Sequence, residues 1–128
     1  MERRRISSGA PWEQIAGYSR AVIDGQHVHV SGTVGVMPDG AEPSADAGAQ
    51  ARRCFEIIFD ALREAGARPE DVVRTRMYLT RPEDADDVLR VHGELFGDVR
   101  PATTAVVVQA LIDPRYVVEI EADAVIRP

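Results

Sequence analysis

The chain has 128 residues, 45% of them hydrophobic, which suits one globular domain with a real core; no apolar run approaches the ~20 residues needed to span a bilayer. A formal net charge of −6 argues against a phosphate backbone as the main partner, and because all fifteen basic residues are arginines, Schiff-base catalysis by a lysine side chain is excluded. Cys54 is the single cysteine, so no intrachain disulfide forms, and no apolar stretch follows the basic residues 1–5 as a secretory signal requires; the expected compartment is the cytoplasm.

Along the chain, Arg3, Arg4 and Arg5 form the one basic cluster, and residues 1–7 read as a solvated arm or a short strand near 4–7. Residues 18–23 and 26–32 read as strands joined by Asp24-Gly25, the favoured chemistry of a two-residue type I′ hairpin. Residues 37–43 carry Pro38, Asp39-Gly40 and Pro43 and read as a loop or second tight turn. From Asp46 the period changes to three and four: Ala47, Ala51, Cys54, Ile58, Leu62 and Ala65 form a stripe widened by Phe55 and Phe59, with Asp46 as N-cap and Gly66 just past the C-terminus. Val73, Thr75, Met77 and Leu79 then alternate with Arg74, Arg76, Tyr78 and Thr80, as in a strand. Thr80-Arg81-Pro82-Glu83 fits a capping box, followed by a helix with Val88, Val91 and Leu95 inward that ends at Gly97; its acids Glu83, Asp84, Asp86 and Asp87 favour an exposed helix start over a metal site. Two strands follow, near 103–110 and 117–125. The order is ββ-α-β-α-ββ. Two helices cover one face of such a sheet, yet residues 105–108 are apolar toward both faces, so a partner surface is expected on the other.

Chemistry-bearing residues have bland readings beside functional ones. With Ile23 facing Gln26 in the hairpin, Arg20 lies opposite His29 and Tyr18 opposite Ser31, and these four share one face: a ligand cluster, or a solvated hydrogen-bond network. The last strand puts Glu119, Glu121 and Asp123 on one face. Cys54 reads as a buried structural thiol before a nucleophile. His92 is an acid/base candidate or a packing residue. His27 and His29 stand i,i+2 without a third ligand at metal-site spacing, so no metal or other cofactor is expected. Trp12 is a cleft lid or a packing residue.

Several segments together carry a family resemblance. Gly17-Tyr18-Ser19-Arg20-Ala21-Val22, Val30-Ser31-Gly32, Arg100-Pro101-Ala102-Thr103-Thr104-Ala105 and Val118-Glu119-Ile120-Glu121-Ala122 occur in the order and spacing of the Rid/YjgF family, and the likeness runs over about residues 8–125. That family comprises reactive-intermediate (enamine/imine) deaminases, also known as L-PSP endoribonucleases. The resemblance implies an α+β, chorismate-mutase-like single domain over residues 1–128, with a mixed β-sheet, two helices on one face, and a homotrimer with small-molecule clefts between subunits. It also implies that Glu119 positions the attacking water and that Tyr18 lines the cleft as its catalytic partner. Together with the residue-by-residue candidates above, the substrate-binding set is expected to be Arg20, Ser31, Gly32, Thr103, Ala105, His92 and Trp12. Gly17 replaces the proline of the family's Gly-Pro-Tyr-Ser motif, and Leu89 stands where a cleft asparagine is usual.

The largest departure is Thr103, which occupies the position of the arginine that clamps the substrate carboxylate in deaminating members. A threonine hydroxyl does not reproduce that bidentate contact, and Arg20, Arg100 and Arg115 are the candidates to compensate. The expectation is a Rid-type hydrolase of altered specificity. The alternative is a non-catalytic small-molecule-binding trimer, and an endoribonuclease or translation inhibitor ranks last on charge, so nucleic acid and membrane are not expected partners.

Overall fold

Residues 3–128 are described by a computed structural model with six strands and three α-helices. In chain order they are β1 (Arg4–Ile6), α1 (Pro11–Ala16), β2 (Ala21–Asp24), β3 (His27–Thr33), α2 (Ala47–Glu64), β4 (Val72–Leu79), α3 (Ala85–Phe96), β5 (Ala102–Val107) and β6 (Val118–Val125). The strands form one mixed sheet in the order β1-β2-β3-β6-β4-β5. Only β4 and β5 run parallel, because α3 carries the chain back over the sheet between them. The short strand at the N-terminus is therefore present, and its Ile6 joins the core.

Helices α2 and α3 pack on one face, as the stripes require. Ala51, Cys54, Phe55, Ile58 and Leu62 of α2 and Val88, Val91 and Phe96 of α3 are buried against Val28, Met77, Leu79, Val118, Ile120 and Ala122 of the sheet. Phe55, Phe96 and His92 form an aromatic knot, with ring centroids 5.4 Å apart for the two phenylalanines and 4.7 Å for His92 and Phe96. Each such pair contributes about 0.5–1.5 kcal/mol beyond its buried area. The Asp46 carboxylate accepts the Ala49 N–H at 2.8 Å, and Gly66 takes φ +87° where the chain leaves α2, so both ends of this helix follow their cap residues.

Four local expectations are corrected. The hairpin turn is centred on Gly25 and Gln26, since Asp24 pairs with His27; only Gly25 has positive φ, the II′ pattern rather than I′. Moving the turn by one residue shifts the register by two, so each side chain keeps its face. Helix α3 starts at Ala85 after a 3₁₀ turn at Pro82–Asp84, and the box at Thr80 does not form; Arg81 Nε instead donates to Asp84 at 2.7 Å. At its other end Gly97 is right-handed, and the left-handed residue is Arg100 at φ +56°. Val73 is exposed because a bulge between Val72 and Arg74 turns it outward, leaving Val72, Thr75, Met77 and Leu79 as the buried set.

Alongside the two expected helices there is a third, α1, which buries no residue. Pro11 starts it, and Gly17 at φ +78° returns its N–H to Glu13. Trp12 on α1 is 64% exposed, so within one chain it is not a packing residue. Helices α2 and α3 leave the opposite face of the sheet open, and every residue of the edge strand β5 is exposed. The strand that is apolar on both faces is thus uncovered in the single chain. No helix among the described residues is long and apolar enough to cross a membrane.

Candidate functional site

The open face of the sheet is built from every second residue of its strands. On β6 the alternation is strict: Val118, Ile120, Ala122 and Ala124 are buried, while Glu119, Glu121 and Asp123 point the other way. Two of these acids have partners. Arg76 on β4 reaches Glu121 at 3.4 Å and Asp123 at 3.1 Å, the Tyr78 hydroxyl donates to Glu121 at 3.1 Å, and His29 Nδ1 lies 2.8 Å from Asp123. Glu119 has no hydrogen-bond partner among the described residues. Burial pushes its carboxyl above the usual range and the Glu121 charge adds to this, while Arg20 pulls the other way.

What holds Glu119 is backbone shape. A β-bulge between Val30 and Thr33 puts Ser31 and Gly32 out of step with β6. Gly32 lies against the Glu119 carboxylate so closely that a Cβ built there collides with its oxygen. Glycine matters here by close approach rather than by its φ, since a side chain at this position would push the Glu119 carboxylate aside. The bulge is braced from behind: one terminal nitrogen of Arg20 donates to the carbonyls of Ser31 and Gly32, both at 2.7 Å, and the Ser31 hydroxyl donates to the Ser19 carbonyl at 2.6 Å. Burial lowers the Arg20 guanidinium, and Tyr18, Glu13 and Glu119 pull it back up. Arg20 Nε is buried without a partner among the described residues. Tyr18, exposed, follows Gly17 at the end of α1, its N–H bonded to the Glu13 carbonyl, so it stands before β2 rather than on it.

An open groove of about 280 Å³ runs beside Glu119, walled by Tyr78, Glu121, Val108, Ala110 and Leu111. The loop that supplies the last three is anchored by Gln50, a buried residue of α2. Its amide donates to the carbonyls of Ser44 at 2.7 Å and Arg115 at 3.0 Å and accepts the Val117 N–H at 2.9 Å. Neither Gln50 nor Tyr78 was singled out by sequence reasoning. A polar residue inside the apolar stripe of α2 is the signal that could have found Gln50.

The remaining candidates gather elsewhere. Thr103 pairs with Thr75 in the parallel β4–β5 register, so Thr103 and Ala105 face the helices with Thr75 and Met77. Thr75 is wholly buried; its hydroxyl donates to Thr103 Oγ1 at 2.7 Å and lies 2.8 Å from His92 Nε2. His92 is a packing residue by its aromatic neighbours and a hydrogen-bonding one by its ring nitrogen, and burial lowers its pKa. Glu119 and Thr103 therefore lie on opposite faces of one sheet, and a single chain does not bring them together.

Of the arginines proposed to compensate, Arg115 is held by Asp113 at 2.8 Å, which raises its pKa. Arg20 is engaged with the bulge, and Arg100 is exposed just before β5. Leu89 is exposed on α3. Cys54 is fully buried, its thiol donating to the Thr33 carbonyl at 3.2 Å and pushed up to about 12 by burial, as an inert structural thiol would be. The rings of His27 and His29 stack 6.3 Å apart, and no group of three or more His, Cys, Asp or Glu among the described residues is placed to hold a metal.

Comparisons with known proteins agree with one another. Residues 9–126 match the family described as Endoribonuclease L-PSP. A crystal structure of Rv2704 from Mycobacterium tuberculosis, described as a member of the YjgF family, superposes with a TM-score of 0.89 at 44% identity, covering 98% of this chain and 100% of that one. The Streptomyces coelicolor protein SCO2049 is 42% identical over 94% of this chain and 90% of its own length. The human 2-iminobutanoate/2-iminopropanoate deaminase is 29% identical over 98% of this chain and 92% of its own length.

Proposed function

Because the chain belongs to the Rid/YjgF family, we propose that it is a small-molecule hydrolase that deaminates an imine or enamine of altered specificity in a cleft between subunits of a homotrimer. The observation that carries this reading is Glu119: a half-buried carboxylate, pushed by burial above its ordinary range and without a partner among the described residues, beside two acids on the same strand face that are both paired.

The chemistry follows from that state. Burial makes the Glu119 carboxylate more basic than an ordinary one, and it takes a proton from a water as the water attacks the C=N carbon. The resulting carboxylic acid returns the proton to nitrogen. Collapse of the carbinolamine then releases ammonia and leaves a carbonyl, so one water is consumed and Glu119 ends as it began. Tyr18, approaching from the neighbouring chain, is the candidate to hold the substrate nitrogen or the water. Neither metal nor cofactor enters these steps.

Assembly is part of the proposal. Glu119, Gly32 and Arg20 lie on one face and Thr103, Ala105 and His92 toward the other, so a cleft that uses both sets takes them from two copies. The exposed apolar β5 is the surface such copies would cover. Trp12 and Ile15, exposed three residues apart on α1 shortly before Tyr18 in the chain, would lid that cleft. The whole chain acts as one domain in the cytoplasm on this reading.

Thr103 in place of an arginine removes a charge-assisted pair, of order 2–5 kcal/mol for one partner of a desolvated pair. Hydrolysis of 2-iminobutanoate and 2-iminopropanoate is therefore expected to be weak or absent. The test is ammonia release over a panel of enzymatically generated imines, with and without a carboxylate. Release from some member supports the reading. Binding without release from any member favours the second reading, a non-catalytic small-molecule-binding trimer. Cleavage of RNA is disfavoured by the net charge of −6.

A further inference from the structure

Thr103 is more than a missing arginine. Its hydroxyl terminates a hydrogen-bonded chain that begins inside the aromatic knot, running from His92 Nε2 to Thr75 Oγ1 at 2.8 Å and from Thr75 to Thr103 Oγ1 at 2.7 Å. The first two members are buried and the third is exposed on β5. A hydroxyl has one proton to give, so the tautomer of His92 sets the direction of both bonds. Its Nδ1 has no acceptor among the described residues and is better left without a proton, which makes Nε2–H the donor to Thr75 and leaves the Thr75 proton for Thr103. The chain thus has a direction. Thr103 already receives a hydrogen bond from within, and its own O–H is left to donate outward.

Every member of this chain is uncharged. Burial disfavours the imidazolium form of His92. No arginine among the described residues is hydrogen-bonded or ion-paired to His92, Thr75 or Thr103. A single neutral donor compensates poorly for stripping water from a carboxylate but satisfies an amide-type oxygen well.

We propose that Thr103 is a specificity-determining residue and that Thr75 and His92 are its positioning residues, fixing an outward hydroxyl donor that selects substrates bearing an uncharged acceptor, of the carboxamide class, where a carboxylate would need a cation. This rests on the reading of Thr103 as a ligand contact in the cleft, and it deepens that reading by naming the substrate class.

The test is a binding titration of the full-length protein with 2-oxobutanoate and with 2-oxobutanamide, carbonyl analogues that differ only in the group Thr103 would meet. Wild type should bind the amide about tenfold more tightly, the ratio expected for one well-made hydrogen bond. Thr103→Val, an exposed and nearly isosteric change, should bring the two affinities to within about twofold of each other. Thr103→Arg should reverse the preference. Thr75→Val, with thermal unfolding to confirm that it folds, should erode the ratio, and Thr75→Ser should restore it, a rescue that a merely structural threonine does not produce. The proposal is overturned if wild type prefers the acid, if neither analogue binds at millimolar concentration, or if the ratio is untouched in Thr103→Val or in folded Thr75→Val. The titration needs no turnover. An amide preference with no ammonia release from any imine sinks the hydrolase reading alone, whereas turnover with an acid preference sinks this inference alone.

Discussion

The middle of the open sheet face and its Glu119 end are made of the same materials and are finished differently. In the middle, Glu121 and Asp123 are tied to Arg76, Tyr78 and His29 at 2.8–3.4 Å, and the result is a satisfied polar network on strand β6. At the end, two residues along the same strand, Glu119 is pressed against a glycine, is partly stripped of water and has no partner among the described residues. A sheet that can pair two acids can pair a third. That the third is left without a partner, with a bulge and an arginine brace shaping the backbone beside it, separates a place for chemistry from a place for stability.

The largest effect should come from removing the acid at the unpaired end. Glu119→Gln keeps the shape and deletes the basicity, and on the first imine that wild type turns over it should lower kcat by roughly two to four orders of magnitude with the fold intact. Full activity in this variant would refute the mechanism. Next comes the wall behind it. Gly32→Ala cannot place its Cβ without moving the Glu119 carboxylate, and a displacement of about 1 Å corresponds to roughly a hundredfold in rate. A fully active Gly32→Ala would mean that the close approach is incidental.

Arg20→Ala tests the brace. Two carbonyls lose the donor they share, for an expected loss of about 1–3 kcal/mol in denaturant unfolding together with reduced activity. Unchanged stability with lost activity would instead make Arg20 a ligand clamp. The smallest effect belongs to the paired region: Glu121→Gln should leave kcat close to wild type, and a loss matching that of Glu119→Gln would erase the contrast between the two regions.

The sequence made parts of this legible and hid others for definite reasons. The β6 alternation, the stripe of α2 and its caps at Asp46 and Gly66 are local patterns with one physical solution, and they stand as read. The hairpin was misplaced by one residue because Asp24-Gly25 suits a type I′ centre, whereas Gly25 alone has positive φ; the period of two protected the faces from that slip. Helix α1 escaped because it buries nothing, and so leaves no apolar stripe to find. The bulge at Ser31 and Gly32 has no signature beyond one glycine. The link from His92 through Thr75 to Thr103 depends on a parallel register between residues 28 apart in sequence, and nothing local encodes that. Sequence reasoning nominated Thr103 by the residue it replaces, and only the fold supplies its neighbours.

The central claim, that Glu119 is held short of water and without a partner among the described residues, predicts its own titration. A carboxyl whose folded-state pKa lies above its ordinary 4.5 is a group the folded protein prefers protonated. Its contribution to stability is full below about 4.5 and is lost as pH rises through the folded-state value, so Glu119→Gln should gain stability on wild type across that window. The most direct measurement is carbon-detected NMR of side-chain-labelled glutamate carboxyls in the native assembly, with Glu119 identified by the signal missing from Glu119→Gln. The account predicts a Glu119 midpoint above 4.5, and a midpoint at or below that value would contradict it.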